Sequence, residues 1–136
     1  MSPEDLSKSY LKKAKIRLEA LEFFIAKKAY SDVVREAQEA VELATKAMLR
    51  ARGIEPPKYH DVSFLFKVHK DKFPELKDEE IKKLMRISKE LRKERELAFY
   101  GDIDFIPTEE YTLKDAKKAF EGARFVISLA ERIIKE

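Results

Sequence analysis

Residues 78–101 read DEEIKKLMRISKELRKERELAFYG and decide the fold, because they contain the start, the period and the stop of one long helix. The acids at the start suit the positive end of a helix dipole, and Gly101 suits a helix end. The predicted inward face consists of Ile81, Leu84, Met85, Leu91, Ala98 and Phe99. Arg95 falls inside that face, where its guanidinium loses hydration and therefore needs partners.

Two further long helices are predicted before this stretch. The first begins at Ser2, a capping residue followed by a proline and two acids. The second follows a break at Tyr30–Asp32 and runs to Arg52, and its many alanines predict close packing at the centre of the fold. Its opposite face alternates acids and bases, which predicts a solvated, salt-bridged surface. The residues of that face are Arg35, Glu39, Glu42, Lys46 and Arg50.

The remaining pattern completes a helical bundle. After the rigid Pro56–Pro57 connector, a short helix is predicted over residues 60–73. A last long helix is expected over residues 113–135, with a capping box at Thr112–Asp115. No segment has the alternation of a strand. The chain is therefore predicted to be one all-α domain over residues 1–136, an antiparallel up-and-down bundle of four long helices and one short one.

Two pairs of apolar residues lie off the predicted inward faces. Ile16 and Phe23 are seven apart in the first helix, and Phe125 and Leu129 are four apart in the last. Exposed apolar patches often mark interfaces, and a stable interface removes about 1,200–2,000 Å² of surface from water. The chain is therefore expected to form a homodimer.

The composition excludes several classes of protein. Hydrophobic residues make up 44% of the 136 residues, too many for a disordered chain. Cysteine is absent and glycine occurs three times, which excludes disulfide frameworks, thiolate chemistry and a glycine-rich phosphate loop. No apolar run approaches the ~20 residues of a membrane span and no signal peptide is visible, so a cytoplasmic protein is expected. The Lys and Glu excess without Asn is typical of a thermophile.

Neither histidine is placed to bind a metal. His60 and His69 are nine apart and lack the HExxH spacing. His69 falls on the inward face of the short helix and is interpreted as a core histidine. His60 stands at the start of that helix, where a structural role and a catalytic role both remain open. No metal or cofactor is expected.

Four cations share one side of the 78–101 helix. We call them the basic track, which consists of Lys82, Arg86, Lys89 and Lys93. Tyr100 points the same way, and a row of cations ending in an aromatic suits phosphate contacts and base stacking. The alternative is a solvated helix face that binds nothing. Asp102 and Asp104 follow Gly101 and are interpreted first as turn residues.

Three blocks of the sequence resemble the HEPN family, the higher eukaryotes and prokaryotes nucleotide-binding helical domains. Residues 37–49 of the second helix resemble the family's AxQAxELxxKAxL-type signature. The run His60-Asp61-Val62, followed by Leu65, resembles its His-Asp-Leu helix start. Residues 95–102, RELAFYGD, resemble its late R-x-x-A-x-Y-G-D block. The blocks occur in the family's order across nearly the whole chain.

The resemblance implies a helical domain that is usually a symmetric dimer. In many members an R-x4-6-H motif at the dimer cleft cleaves RNA without a metal, and several members are encoded beside a minimal nucleotidyltransferase as a toxin–antitoxin pair. Here Arg95 matches the arginine, but Tyr100 stands after four intervening residues and no histidine follows. Tyrosine, with an ordinary pKa of about 10, is a poor general base at neutral pH.

Three hypotheses follow for the function. In the first, favoured by the missing histidine and the basic track, a dimeric module binds RNA, a nucleotide or a partner nucleotidyltransferase. It does so through a cleft around Arg95 and Tyr100, with Asp102 and the basic track as further contacts. In the second, Arg95 and Tyr100 are the catalytic residues of a divergent metal-independent endoribonuclease. In the third, the dimer is purely structural and Arg95 forms an ion pair with Glu42 or another acid.

Overall fold

The computed structural model describes residues 2–58 and 61–135, which fold into a bundle of helices. The long helices are α1 (Pro3–Ala26), α2 (Tyr30–Ala51), α4 (Asp78–Tyr100) and α6 (Leu113–Ile133). The shorter elements are α3 (Phe64–Val68), a 3₁₀ turn (Lys70–Lys72) and α5 (Pro107–Glu110). The described residues form no strand beyond one isolated bridge between Asp102 and Phe105. The predicted all-α bundle is confirmed.

Helix α2 lies at the centre of the bundle and contacts α1, α4 and α6. Its alanines Ala37, Ala40, Ala44 and Ala47 are fully buried. Small side chains let neighbouring helices approach closely, so the predicted central position of this helix is confirmed. Helix α6 also contacts the other three long helices, whereas α1 and α4 make no extensive contact with each other among the described residues.

Local sequence signals set the helix ends. The Ser2 N–H donates to Asp5 Oδ2 at 3.1 Å, and the Asp5 N–H donates to Ser2 Oγ at 3.2 Å, which caps α1. Thr112 and Asp115 cap α6 in the same way, at 2.9 and 3.3 Å. Each cap of this kind contributes about 1 kcal/mol. Gly101 ends α4 with a φ of 72°, as the sequence predicts.

The prediction of one continuous helix over residues 60–73 is wrong. Helix α3 occupies only Phe64–Val68 and gives way to the 3₁₀ turn. Asp61 explains the late start, because its Oδ1 accepts a hydrogen bond from the Ser63 N–H at 3.0 Å and holds this segment in a turn.

The break between the first two helices lies earlier than predicted. Helix α2 begins at Tyr30, so the break is at residues 27–29 rather than at Tyr30–Asp32. Lys28 adopts a φ of 60° there. That left-handed conformation costs a non-glycine residue about 1–2 kcal/mol, and it ends the first helix without a glycine to mark the place.

The prediction of an exposed Phe125–Leu129 pair is wrong. Leu129 is fully buried, because α6 packs against three helices at once and therefore buries a wider face than its core stripe. Phe125 is half-buried, with Lys83 Nζ 4.2 Å from its ring centroid. Ile16 and Phe23 are exposed by 54% and 60% as expected, so one of the two predicted apolar patches remains.

Candidate functional site

Arg95 lies between two helices rather than on an unpaired apolar stripe. Its Nη2 is 3.1 Å from Glu39 Oε1, and its Nη1 is 3.7 Å from Glu42 Oε2. The two acids are three residues apart on α2, so both carboxylates lie on the side of that helix that meets α4. The Arg95 side chain is 32% exposed, which leaves the ion pairs only partly shielded from water.

A larger charged cluster surrounds these ion pairs where α2 meets α4. We call it the charged seam, which consists of Arg35, Glu39, Glu42, Lys46, Arg92 and Arg95. Glu42 lies 3.3 Å from Lys46 Nζ and 3.8 Å from Arg92 Nη1. Glu39 lies 3.7 Å from Arg35 Nε. The predicted salt bridges of this α2 face are confirmed, but the face is half-buried rather than solvated, because Glu39 and Glu42 also meet Arg95 of α4.

The charged seam carries more positive than negative charge. The seam holds four cations and two carboxylates, and a third carboxylate, Asp61, borders the same small cavity as Arg92, which leaves an excess of one positive charge. The Nε of Arg95 and the Nη1 of Arg35 are buried and donate to no acceptor among the described residues. These buried atoms are out of reach of a ligand, but the unbalanced positive charge of the partly exposed side chains favours the binding of an anion.

Tyr100 does not share the side of α4 that carries Arg95. Five residues correspond to about 500° of helical turn, which places Tyr100 about 140° from Arg95 around the axis. Phe99 lies four residues after Arg95 and therefore on the same side, and its ring centroid is 4.7 Å from the Arg35 guanidinium. The prediction that Phe99 lies inward is wrong. It is 50% exposed, at the margin of the core, where a guanidinium stacks on its ring.

Phe99 and Tyr100 together form an aromatic pair at the end of α4. Their rings meet edge to face with centroids 4.9 Å apart, and Tyr100 is 71% exposed. Phe99 borders the charged seam, whereas Tyr100 continues the line of the basic track. The sequence interpretation missed this role of Phe99, although its spacing of four from Arg95 was the available signal.

The basic track lies on the solvent side of α4, as predicted. Lys82, Arg86, Lys89 and Lys93 are exposed, and none of the described acids pairs with them. From Lys82 to Lys93 the track spans about 16 Å of helix. Glu96, which the sequence interpretation overlooked, is exposed and lies within about 40° of the same line, so one acid separates the track from Tyr100.

Asp102 belongs to a tight turn after α4, as interpreted from the sequence. The backbones of Asp102 and Phe105 exchange two hydrogen bonds of 3.0 Å. Asp102 Oδ1 accepts from the Ile103 N–H at 2.7 Å. The turn requires glycine at position 101, because a Cβ on Gly101 would lie 2.4 Å from the Phe105 carbonyl oxygen.

Asp61 ties the segment before α3 to the charged seam. Its Oδ1 accepts from Ser88 Oγ on α4 at 2.8 Å, and its Oδ2 accepts from Ser63 Oγ at 3.0 Å. These groups and Arg92 border a polar cavity of about 10 Å³, which approaches the room needed for one water molecule. His60, whose role the sequence leaves open, lies outside the described residues.

Comparison with known protein families shows which family the chain belongs to. The family model of the HEPN domain matches residues 7–133. The chain belongs to the HEPN family. HEPN membership implies a function related to nucleotides or RNA, and HEPN domains often dimerise and bind RNA. No curated protein matches the chain.

In the described part of this HEPN protein, the charged seam and the neighbouring Phe99 ring are suited to an anion and a planar group. Across residues 2–58 and 61–135, no group of three or more His, Asp or Glu side chains is placed to hold a metal ion. Over the same residues, no helix has both the length and the apolar character needed to cross a membrane. Within one chain, Arg95 and Tyr100 lie on different sides of α4, so they do not form the single cleft predicted for them.

Proposed function

We propose that this HEPN protein is a dimeric module that binds RNA or nucleotide phosphates at the charged seam. The observation that carries the proposal is the excess of positive charge among the half-buried side chains of the seam. The Arg95 side chain is 32% exposed, so part of its guanidinium can reach phosphate oxygens although its Nε is buried. A base attached to that phosphate stacks on Phe99.

The basic track extends the same ligand surface along α4. Tyr100 lies at the end of the track, so a strand that stacks on the aromatic pair continues over Lys93 and Lys89. Asp102 is exposed just beyond Tyr100 and offers a carboxylate to a ribose hydroxyl. In this proposal the seam binds one phosphate, and the basic track binds further phosphates of the same strand.

The dimer in this proposal forms through the apolar patch on α1. Ile16 and Phe23 are both more than half exposed, and they share one side of that helix. Because α1 and α4 make no extensive contact among the described residues, a dimer formed through α1 leaves the seam and the track open to ligand. The same open surface is also suited to a partner protein, and a minimal nucleotidyltransferase in a toxin–antitoxin-like system remains the proposed partner.

Fluorescence anisotropy with a short fluorescein-labelled single-stranded RNA tests the binding proposal. Arg95→Lys keeps the charge but loses the planar fork, so we expect affinity to fall about tenfold. Phe99→Leu removes the aromatic ring on which a base stacks, so we expect the binding free energy to weaken by the stacking contribution of about 1–3 kcal/mol per base. Arg124→Ala is the control, because Arg124 is an exposed cation on α6 paired with Glu121. Equal affinity of all four proteins would contradict the proposal.

The variant Tyr100→Phe, which removes only the hydroxyl, distinguishes the ribonuclease hypothesis from the binding module. The binding module predicts no cleavage of the RNA in the presence of EDTA and unchanged affinity for Tyr100→Phe, because a phenyl ring stacks as well. Cleavage by the wild type that is lost in Tyr100→Phe would assign chemistry to the hydroxyl and replace the binding proposal. The structural hypothesis is favoured by the Arg95 ion pairs themselves, and the stability of Arg95→Ala tests it.

A further inference from the structure

A second concave site lies on the other side of α4, away from the charged seam. It is a cavity of about 450 Å³ between α4, α6 and residues 105–111. Volumes of about 300–1,000 Å³ are typical of small-molecule sites. Its apolar wall includes Leu91, Leu97, Phe105 and Ala119.

The walls of this cavity are held by specific packing. Phe105 meets Tyr111 edge to face with ring centroids 5.6 Å apart. At the far end, Gly122 lets α6 approach Ile87 so closely that an added Cβ would lie 3.1 Å from Ile87 Cγ2. Both contacts fix lining residues from two elements, so the cavity is preformed rather than opened by a ligand.

The polar part of the cavity is negative. Four carboxylates line it, whereas only two cations, Lys93 and Lys118, do so. The carboxylates are Glu90, Glu94, Glu110 and Asp115. Lys118 is already paired with Glu90 at 3.5 Å, with both side chains well exposed. The cavity therefore carries the opposite charge to the seam across the same helix.

Glu94 is the carboxylate best placed to meet a ligand. It is half-buried, and its Oε2 accepts a 2.6 Å hydrogen bond from the Tyr111 hydroxyl. Burial and this bond to Glu94 raise the pKa of Tyr111, so the phenol remains a neutral hydrogen-bond donor. A carboxylate accepts about four hydrogen bonds, so Glu94 retains capacity for another donor.

We propose that this cavity binds a small organic cation with an apolar body, an arylalkyl or branched alkyl ammonium. The apolar body lies against Leu91, Leu97 and Phe105, and the ammonium donates to Glu94. Charge complementarity excludes the anionic counterpart, because the lining carries an excess of two carboxylates. This site does not rest on the proposed RNA binding, since Lys93 is the one described residue that it shares with the proposed RNA surface.

Three probes of one shape and different charge test the proposal on the full chain. They are 2-phenylethylamine, 2-phenylethanol and 3-phenylpropionate, titrated while amide shifts are followed by ¹H–¹⁵N NMR. We expect saturable shifts centred on residues 87–97 and 105–122 with the amine, about fivefold weaker binding of the alcohol, and no binding of the acid. Tighter binding of 3-phenylpropionate, or no saturable binding of the amine, would overturn the proposal.

Two variants localise the binding within the cavity. Glu94→Gln keeps an acceptor for Tyr111 but removes the charge, so amine affinity should fall about fivefold. Ala119→Leu fills the cavity and should abolish binding of the amine and the alcohol alike. Glu79→Gln is the matched control, an exposed acid on the same helix that does not line the cavity. Unchanged amine affinity in both Glu94→Gln and Ala119→Leu would place the binding elsewhere and overturn the assignment.

Discussion

Arg95 Nη2 on α4 and Glu39 Oε1 on α2 lie 3.1 Å apart, and Glu39 has a second cation, Arg35, at 3.7 Å. Glu42 is shared in the same way between Arg95, Lys46 and Arg92. Each acid of the seam therefore has more than one cationic partner. Removal of one arginine leaves no carboxylate stranded, so the proposed binding role of Arg95 can be tested apart from any role in folding.

Arg95→Ala should therefore lower the free energy of unfolding by only about 1 kcal/mol, rather than the 3–5 kcal/mol of a stranded buried charge. RNA affinity should nevertheless fall about tenfold or more, because the seam loses one of its four cations. Urea unfolding and anisotropy measure the two effects, with Arg124→Ala as the control. A large loss of stability with unchanged RNA affinity would assign Arg95 a structural role.

The basic track should govern the salt dependence of RNA binding. Lys89→Glu with Lys93→Glu removes two phosphate contacts, so the slope of log affinity against log salt should become shallower by about 1.4 for single-stranded RNA. Titrations between about 50 and 200 mM salt give this slope. Reversal of Lys114 and Lys117 on α6 is the control and should leave the slope nearly unchanged. Equal changes of the slope in both double variants would mean that RNA binding depends on the net charge of the protein and not on the basic track.

The apolar patch on α1 should hold the dimer together. Ile16→Glu with Phe23→Glu places two charges in the proposed interface, so the double variant should be monomeric by multi-angle light scattering at micromolar concentration. Val68→Glu is the control, because Val68 is 63% exposed but lies on α3. The α1 interface is rejected if the double variant remains dimeric, and the homodimer itself is rejected if the wild type is a monomer.

Stability should decline in acid through Glu80. Two hydrogen bonds from Arg132, at 3.0 and 2.7 Å, and one from the Lys77 N–H at 2.9 Å lower the pKa of Glu80 below its ordinary value of 4.5. A lowered native pKa contributes stability above the unfolded pKa, and this is lost as the pH falls through the native value. The urea midpoint should drop below about pH 4.5, and less steeply in Glu80→Gln.

Glu79→Gln supplies the comparison for this acid dependence, since the exposed Glu79 carboxylate adjoins Glu80 in sequence. The acid slope of its urea midpoint should lie closer to that of the wild type than to that of Glu80→Gln. If Glu80→Gln and the wild type show the same acid slope, the Arg132 hydrogen bonds do not persist in solution.

Two glycines share a positive φ but differ in the space around them. Gly53 and Gly101 have φ values of 75° and 72°. A Cβ on Gly53 meets nothing within 4 Å, whereas one on Gly101 lies 2.4 Å from the Phe105 carbonyl oxygen. Gly53→Ala should cost about 1 kcal/mol, and Gly101→Ala about 1–3 kcal/mol more. Equal losses in urea unfolding would mean that the turn after α4 relaxes freely.

Local signals made the helix ends predictable. Ser2, Thr112 and Gly101 act within four residues of themselves, so the sequence alone identifies them. The contact between Arg95 and Glu42 was anticipated, and it is present. The burial of Leu129 and of the charged α2 face was misjudged, because it depends on other helices: α6 is covered from three sides, and the α2 acids meet the arginines of α4. The angle between Arg95 and Tyr100 follows from helix geometry alone, and it was available from the sequence.

The contact pattern of α4 has a consequence for local unfolding. This helix is attached through α2 and α6 but not extensively through α1, and part of its contact with α2 is the charged seam, which salt screens. Such an element can detach as a cooperative unit while α1, α2 and α6 keep their shared core. Native-state hydrogen exchange should therefore reveal α4 amides that open together, at lower free energy than those of α2, and increasingly so at high salt.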